Sequence, residues 1–247
     1  MIRSFSNLLI ALFCGVSAGS AVTLNWSSVT WTAGSLSNSY DVDPSNPGND
    51  ITITVSGNTS SLGGTSPSIA GNLGGTGRPS LQLAPTFTLA SQSITVSIAF
   101  NYTQGVYVQN LNILSVDSNL FTDRITNIQG ITATGQTVNA VAVVGSSRNS
   151  VTGNSGTGWT VTGTGNAGTG ATGNVSVSFG NFRVTQISFT YSNAGTLSLA
   201  QKIGLDNISW SLTPEVRPGI AASILCGLAL IARIGARWRL KASRAPP

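Results

Sequence analysis

The chain has 247 residues, a formal net charge of +5, only 8% charged side chains and no histidine. Without His, Ser-His-Asp and Cys-His nucleophilic triads and imidazole metal sites are excluded. The basic balance is terminal: Arg3, Arg217, Arg233, Arg237, Arg239, Lys241 and Arg244 supply seven of the twelve Lys and Arg residues, so the central body offers no basic stripe of the kind nucleic-acid binding requires.

Residues 1–21 read as a secretory signal peptide. Arg3 precedes an apolar run from Leu8 to Val16, and Ser17-Ala18-Gly19-Ser20-Ala21 supplies small residues for cleavage after Ala21. Phe13 before Cys14 is too large for a lipoprotein signal. Cys14 and Cys226 are the two cysteines, and both fall in terminal segments. The body, Val22–Thr213, therefore has neither a disulfide nor a thiolate metal site. Five basic residues stand there against Asp41, Asp43, Asp50, Asp117, Asp123 and Asp206, a balance of −1.

The body predicts strands and turns throughout. Apolar and Ser/Thr residues alternate at period two in Ile51–Val55, Ile94–Ile98, Val106–Val108, Val175–Phe179 and Ile187–Tyr191, which puts one face on a core and one in water. Further strands are expected at Val22–Trp31, Leu111–Val116, Ile125–Ile131, Val138–Val144 and Ile203–Leu212. Pro44, Pro47, Gly48, Gly57, Gly63 and Gly64 punctuate the gaps. Many short strands without helical periodicity imply an all-β, jelly-roll-like β-sandwich. Thr is an ordinary choice on an exposed strand face, so Ser/Thr richness alone implies no ligand. Gly57–Gly77 and Gly145–Asn174 are low in complexity, and the second is expected to be a long surface loop with one short strand near Trp159–Thr162.

Little chemistry is available to this body. Its carboxylates are all Asp, since the one Glu is Glu215. Asp117 and Asp123 are close in sequence and are the candidates for a glycosidase-type pair, although a non-enzymatic body is the expectation. Hard oxygen ligands suit calcium, and the run Asp41-Val-Asp43-Pro-Ser-Asn46-Pro-Gly-Asn49-Asp50 concentrates them. The candidate calcium ligands are Asp41, Asp43, Asp50 and Asp206; turn capping by Asx side chains is the competing role. Of Trp26, Trp31, Trp159 and Trp210, only Trp159 lies in a Gly-rich stretch where it could stack on a glycan.

At the C-terminus, Pro214-Glu215 precedes an apolar segment, Gly219–Ala232, and a basic cluster. About 20 residues span a hydrocarbon core, reached here by running on past Arg233, whose side chain can snorkel. Basic residues beside a span stay cytoplasmic, which would leave the body outside. This order of motif, helix and Arg-rich end resembles the PEP-CTERM sorting signal, with Pro214 and Glu215 matching and Val216 where the family has its second Pro. The resemblance implies a sorting segment over 214–247, processing by an exosortase, and association with exopolysaccharide. The body also resembles β-sandwich ectodomains of PEP-CTERM proteins, through Asp117-Ser-Asn-Leu-Phe-Thr-Asp123-Arg-Ile and Ile203-Gly-Leu-Asp206-Asn-Ile-Ser-Trp. Two roles stay open: a structural or adhesive surface protein, and a carbohydrate-binding module.

Overall fold

The computed structural model describes residues 21–195 and 200–214. The predicted signal peptide (apart from Ala21), Glu215, the apolar segment and the basic cluster lie outside the described residues. Among the described residues no helix is long and apolar enough to cross a membrane.

The body is all-β. Its strands are β1 (Val22–Leu24), β2 (Ser37–Tyr40), β3 (Ile51–Gly57), β4 (Ser68–Ala70), β5 (Ser80–Leu83), β6 (Ser93–Phe100), β7 (Tyr107–Asn110), β8 (Asn112–Leu114) and β9 (Asp123–Thr132). They continue with β10 (Thr137–Asn139), β11 (Ala142–Val144), β12 (Asn149–Asn154), β13 (Gly158–Gly163), β14 (Val175–Ser178), β15 (Val184–Asn193), β16 (Ile203–Leu205) and β17 (Ile208–Ser211). An eight-stranded sheet runs β12-β13-β9-β15-β6-β3-β2, with β10 also on β9; a six-stranded sheet runs β11-β14-β8-β16-β5-β4; a small third sheet runs β1-β17-β7. One apolar cluster joins them, drawing Ile53, Val96 and Ile125 from the first sheet, Leu81, Ile113 and Leu205 from the second, and Leu24, Val108 and Trp210 from the third. The sheets therefore pack as a sandwich around a shared core.

The alternating runs form the centre of the large sheet, and their register is regular. Ser37, Thr54, Ser97 and Ser188 lie directly opposite one another across β2, β3, β6 and β15. The apolar partners on the other face, such as Ile53, Ile98 and Ile187, are fully buried. A one-residue slip would turn every isoleucine to water and every hydroxyl into the core, so the pattern fixes the register. β9 pairs with β15 through two register shifts, one between Val184 and Gln186 and one at which β9 itself holds the extra residue. The second shift lies between Ser188 and Thr190, and Asn127 there has φ +52°, a left-handed conformation that Asn tolerates better than branched residues. The extra residue is a β-bulge that re-phases the strand.

Two expected strands, Val138–Val144 and Ile203–Leu212, are each split in two, and a third corner falls between the expected strands at Val106–Val108 and Leu111–Val116. Leu111 separates β7 from β8, Ala140-Val141 separates β10 from β11, and Asp206-Asn207 separates β16 from β17. At each point the chain passes from one sheet to another, a corner that period-two patterning does not reveal. The first strand ends at Leu24 because a turn follows, closed by Ser28 N–H donating to Asn25 O at 3.0 Å. Gly145–Asn174 is more ordered than expected. β12 and β13 form a hairpin in register from Asn149↔Gly163 to Asn154↔Gly158.

Candidate functional site

Five of the sequence-predicted aspartates fall into three separate networks. The first closes the turn between β2 and β3. Both oxygens of Asp50 are engaged: Oδ2 accepts from the backbone N–H of Val42 (2.7 Å) and Asp43 (2.6 Å), and Oδ1 accepts from Asn46 Nδ2 (2.7 Å). Asp43 Oδ1 accepts from the Ser45 backbone (3.0 Å) and hydroxyl (2.6 Å). Between the two carboxylates sits Tyr102 Oη, 3.0 Å from Asp43 Oδ2 and 3.1 Å from Asp50 Oδ1. The Ser45 hydroxyl, ahead of the opposing effect of burial, lowers the pKa of Asp43. Burial raises that of Tyr102, the two carboxylates add to the rise, and the indole of Trp210 opposes it. The Trp210 N–H lies near that phenol without meeting hydrogen-bond geometry.

Asp206 belongs elsewhere. At the corner between β16 and β17 it takes a two-pronged pair from Arg78, Nε to Oδ1 at 3.0 Å and Nη2 to Oδ2 at 2.8 Å. The same corner anchors the first strand's exit: Trp26 Nε1 donates to Asp206 O, and Trp26 N–H donates to Asn207 Oδ1, both at 3.0 Å. The expected joining of Asp206 to the Asp41–Asp50 turn is therefore not found. Asp41 is exposed, and among the described residues no group of three acidic side chains is placed to hold a metal. In the turn itself, N–H and O–H donors already occupy the carboxylate oxygens that a calcium ion would need. The arrangement is the Asx turn-capping one.

Asp117 and Asp123 do come together. Asp123 is fully buried; its Oδ1 accepts from Tyr191 Oη at 2.6 Å and its Oδ2 from the Asp117 backbone N–H at 3.2 Å. Burial pushes Asp123 up to about 8, with the Tyr191 hydrogen bond opposing. Asp117 is also raised by burial, while the backbone N–H of Ala167, donating to Oδ2 at 3.0 Å, lowers it. Tyr191 is raised well above its ordinary value, chiefly by burial. Gly163 closes this loop, since a Cβ there would collide with the Asp117 carbonyl. A glycosidase pair must flank a substrate bond. A carboxyl sealed from solvent and bonded to a core tyrosine does not present itself to one.

Nor do the tryptophans among the described residues form a platform. Trp26, Trp31 and Trp210 are buried. Trp159 is half-buried, packs on the core from β13, and donates its indole N–H to Ala140 O at 2.7 Å, so the expected exposed stacking role is not what the structure gives it. A cleft of about 420 Å³ opens beside the first turn, lined by Val22, Thr23, Val42, Asp43, Pro44 and Leu212 among others. Pro214 is exposed at the end of the described body.

No family model matches the chain, and no curated protein matches it. Among solved structures, a Family 11 Carbohydrate-Binding Module from Clostridium thermocellum, in complex with a beta-1,3-1,4-mixed-linked tetrasaccharide, is similar at 14% identity and a TM-score of 0.34, over 81% of this chain and 100% of that one. A superposition that loose places no residue of this chain in a ligand site.

The tyrosines at the centre of two networks were missed by sequence reasoning. For Asp123 a signal existed. It stands two residues before Ile125, at an inward position of the β9 alternation, and a carboxyl placed inward needs a buried partner.

Proposed function

We propose that this chain is an exported, non-enzymatic cell-surface or extracellular-matrix protein with a jelly-roll-like body. In this reading a signal peptide ending at Ala21 starts export, the PEP-CTERM-like tail from Pro214 and Glu215 sorts the product through an exosortase, and the body associates with exopolysaccharide. One observation carries the non-enzymatic part. Five of the six body aspartates, Asp43, Asp50, Asp117, Asp123 and Asp206, are buried and hydrogen-bonded within the fold. The side chains able to do acid–base chemistry are spent on holding turns and corners in a body with no disulfide. Buried or core-anchored tryptophans favour this structural role over a lectin built on aromatic stacking.

The test is topology in whole cells. With Cys14 and Cys226 replaced by Ser, a membrane-impermeant maleimide should label a probe cysteine at Ser155, in the exposed β12–β13 turn, and spare one at Ala242. Labelling of Ala242→Cys alone, or protection of both positions, would refute the export reading.

A further inference from the structure

The outer face of the eight-stranded sheet has a composition that the aspartate networks do not explain. Beside the Ser37–Thr54–Ser97–Ser188 row runs a second, formed by Ser56, Thr95, Thr190 and Thr126 on β3, β6, β15 and β9. Their residues are half-buried or exposed, as expected of a face in water. Gln129 extends the first row. Neither row contains an ionisable or aromatic side chain. The cation Arg124 stands at the margin of the face, with its Nε donating to Ser192 Oγ at 3.2 Å. Soluble proteins usually intersperse charge over such faces. Here the body's carboxylates have been turned inward, and Asp41 is the exposed one.

From this we propose that the outer face of the eight-stranded sheet is a contact surface for neutral polysaccharide, bound by hydroxyl-to-hydroxyl and hydroxyl-to-amide hydrogen bonds. The proposal rests on the surface-protein reading above and gives it a binding face. Charge complementarity selects the occupant. A polyuronate or nucleic acid gains little from two rows without cations and a single Arg124 at their margin, whereas a neutral polyol meets donors and acceptors that match its own and strips no ion of its hydration. Geometry is compatible with it: hydroxyls repeat about every 4.8 Å across strands and about every 6.8 Å along them, a spacing on the scale of whole sugar rings. The side chains are held in advance. Ser37 Oγ and Thr54 Oγ1 lie 3.0 Å apart, Ser39 Oγ and Thr52 Oγ1 2.8 Å, and Gln186 Nε2 donates to Ser97 Oγ at 2.6 Å. Branched Thr residues are further restricted at χ1, so less freedom is lost on binding. Each sugar bond exchanges for a water bond and is weak alone. Retention then comes from many contacts along one chain and from many protein copies on one surface.

The experiment uses the full chain in detergent micelles on native gels cast with a neutral glucan, hydroxyethyl cellulose, or with an acidic polyuronate, alginate. Mobility is expressed relative to a gel without polysaccharide. Wild type should slow at least twofold in the glucan and run freely in alginate. Thr54→Lys/Thr190→Lys should run freely in both. Thr54→Ser/Thr190→Ser, which keeps the hydroxyls, and Val144→Lys/Ser178→Lys, on the six-stranded sheet, should both slow as wild type does. An unslowed wild type, equal slowing by alginate, or a Thr54→Lys/Thr190→Lys protein slowed as much as wild type would overturn the proposal. So would a wild-type dimer in size-exclusion chromatography that Thr54→Lys/Thr190→Lys splits, since the face would then belong to a second copy. A wild type that is labelled on the cell surface but ignores the glucan sinks this inference alone; one that is not exported sinks the reading beneath it.

Discussion

Asp123 should make the body less stable as pH rises through neutrality. Its carboxyl is fully buried and holds its proton up to about pH 8, against an ordinary value of 3.8. Between those values the unfolded chain has released the proton and the folded chain has kept it. The folded state therefore binds more protons, and stability falls as pH rises, by at most about 1.4 kcal/mol per pH unit. Integrated from pH 4 to pH 8, the loss is on the order of 5 kcal/mol, an appreciable share of a typical domain's stability. The chain has no histidine to titrate in this window, and Asp117, also raised by burial, adds to the fall in the same sense. Asp43, whose lowered pKa works in the opposite sense, loses its contribution only below the ordinary carboxylate range. The assay is urea unfolding of Val22–Thr213 at pH 5, 6, 7 and 8, for wild type and Asp123→Asn. Asn keeps an oxygen for the Tyr191 hydroxyl, and its cost to the Asp117 N–H contact does not vary with pH. Wild type should lose stability across the series while Asp123→Asn holds a shallower slope. Equal slopes, or a flat wild type, would refute a buried neutral carboxyl.

Millimolar calcium should leave the melting midpoint of the same fragment where chelator leaves it, because protein donors already fill the Asp43 and Asp50 oxygens; a rise abolished by Asp50→Asn would restore the metal site. Arg78→Met leaves Asp206 buried without its cation and should lower the unfolding free energy by about 1–3 kcal/mol, reduced from the full buried-pair cost by the guanidinium's 45% exposure. Gly163→Ala should destabilise by about 2 kcal/mol or more in urea, since its Cβ meets a fixed carbonyl on the Asp117 loop.

Much of the sandwich was legible because its central strands carry a strict period of two. Ile51–Val55, Ile94–Ile98 and Ile187–Tyr191 became β3, β6 and β15 with their expected faces. Strands lacking that pattern were not legible. β2 is Ser-Asn-Ser-Tyr, recruited by pairing with β3, and β5 is buried on both faces, where Gln82 satisfies its amide on Ala70 O and Gly71 O. The hairpin β12–β13 hid in a Thr/Gly-rich stretch because long-range pairing overrides local propensity. For the candidate site, the four aspartates grouped by the sequence are dispersed by the fold: Asp43 and Asp50 share one network, Asp206 belongs to another and Asp41 is exposed. Asp206 and Arg78 lie 128 residues apart, and no local pattern announces a pair separated by that distance. Tyr102 and Tyr191 had equally little to mark them, since their hydroxyls matter only once the sheets have packed.

The position of β17 bears on how the body resists pulling. It lies between β1 and β7 and is antiparallel to both, with Val22 opposite Trp210 and Ser211 opposite Tyr107. A load applied at Thr213 along the strand axis meets two hydrogen-bonded ladders side by side, and it stresses their rungs together instead of opening them one after another. Trp210, sunk in the core against Phe100 with ring centres 5.4 Å apart, must be dragged through packed side chains before the strand can slide. A load at this end of the described body is thus taken in shear, the direction in which a sheet yields last.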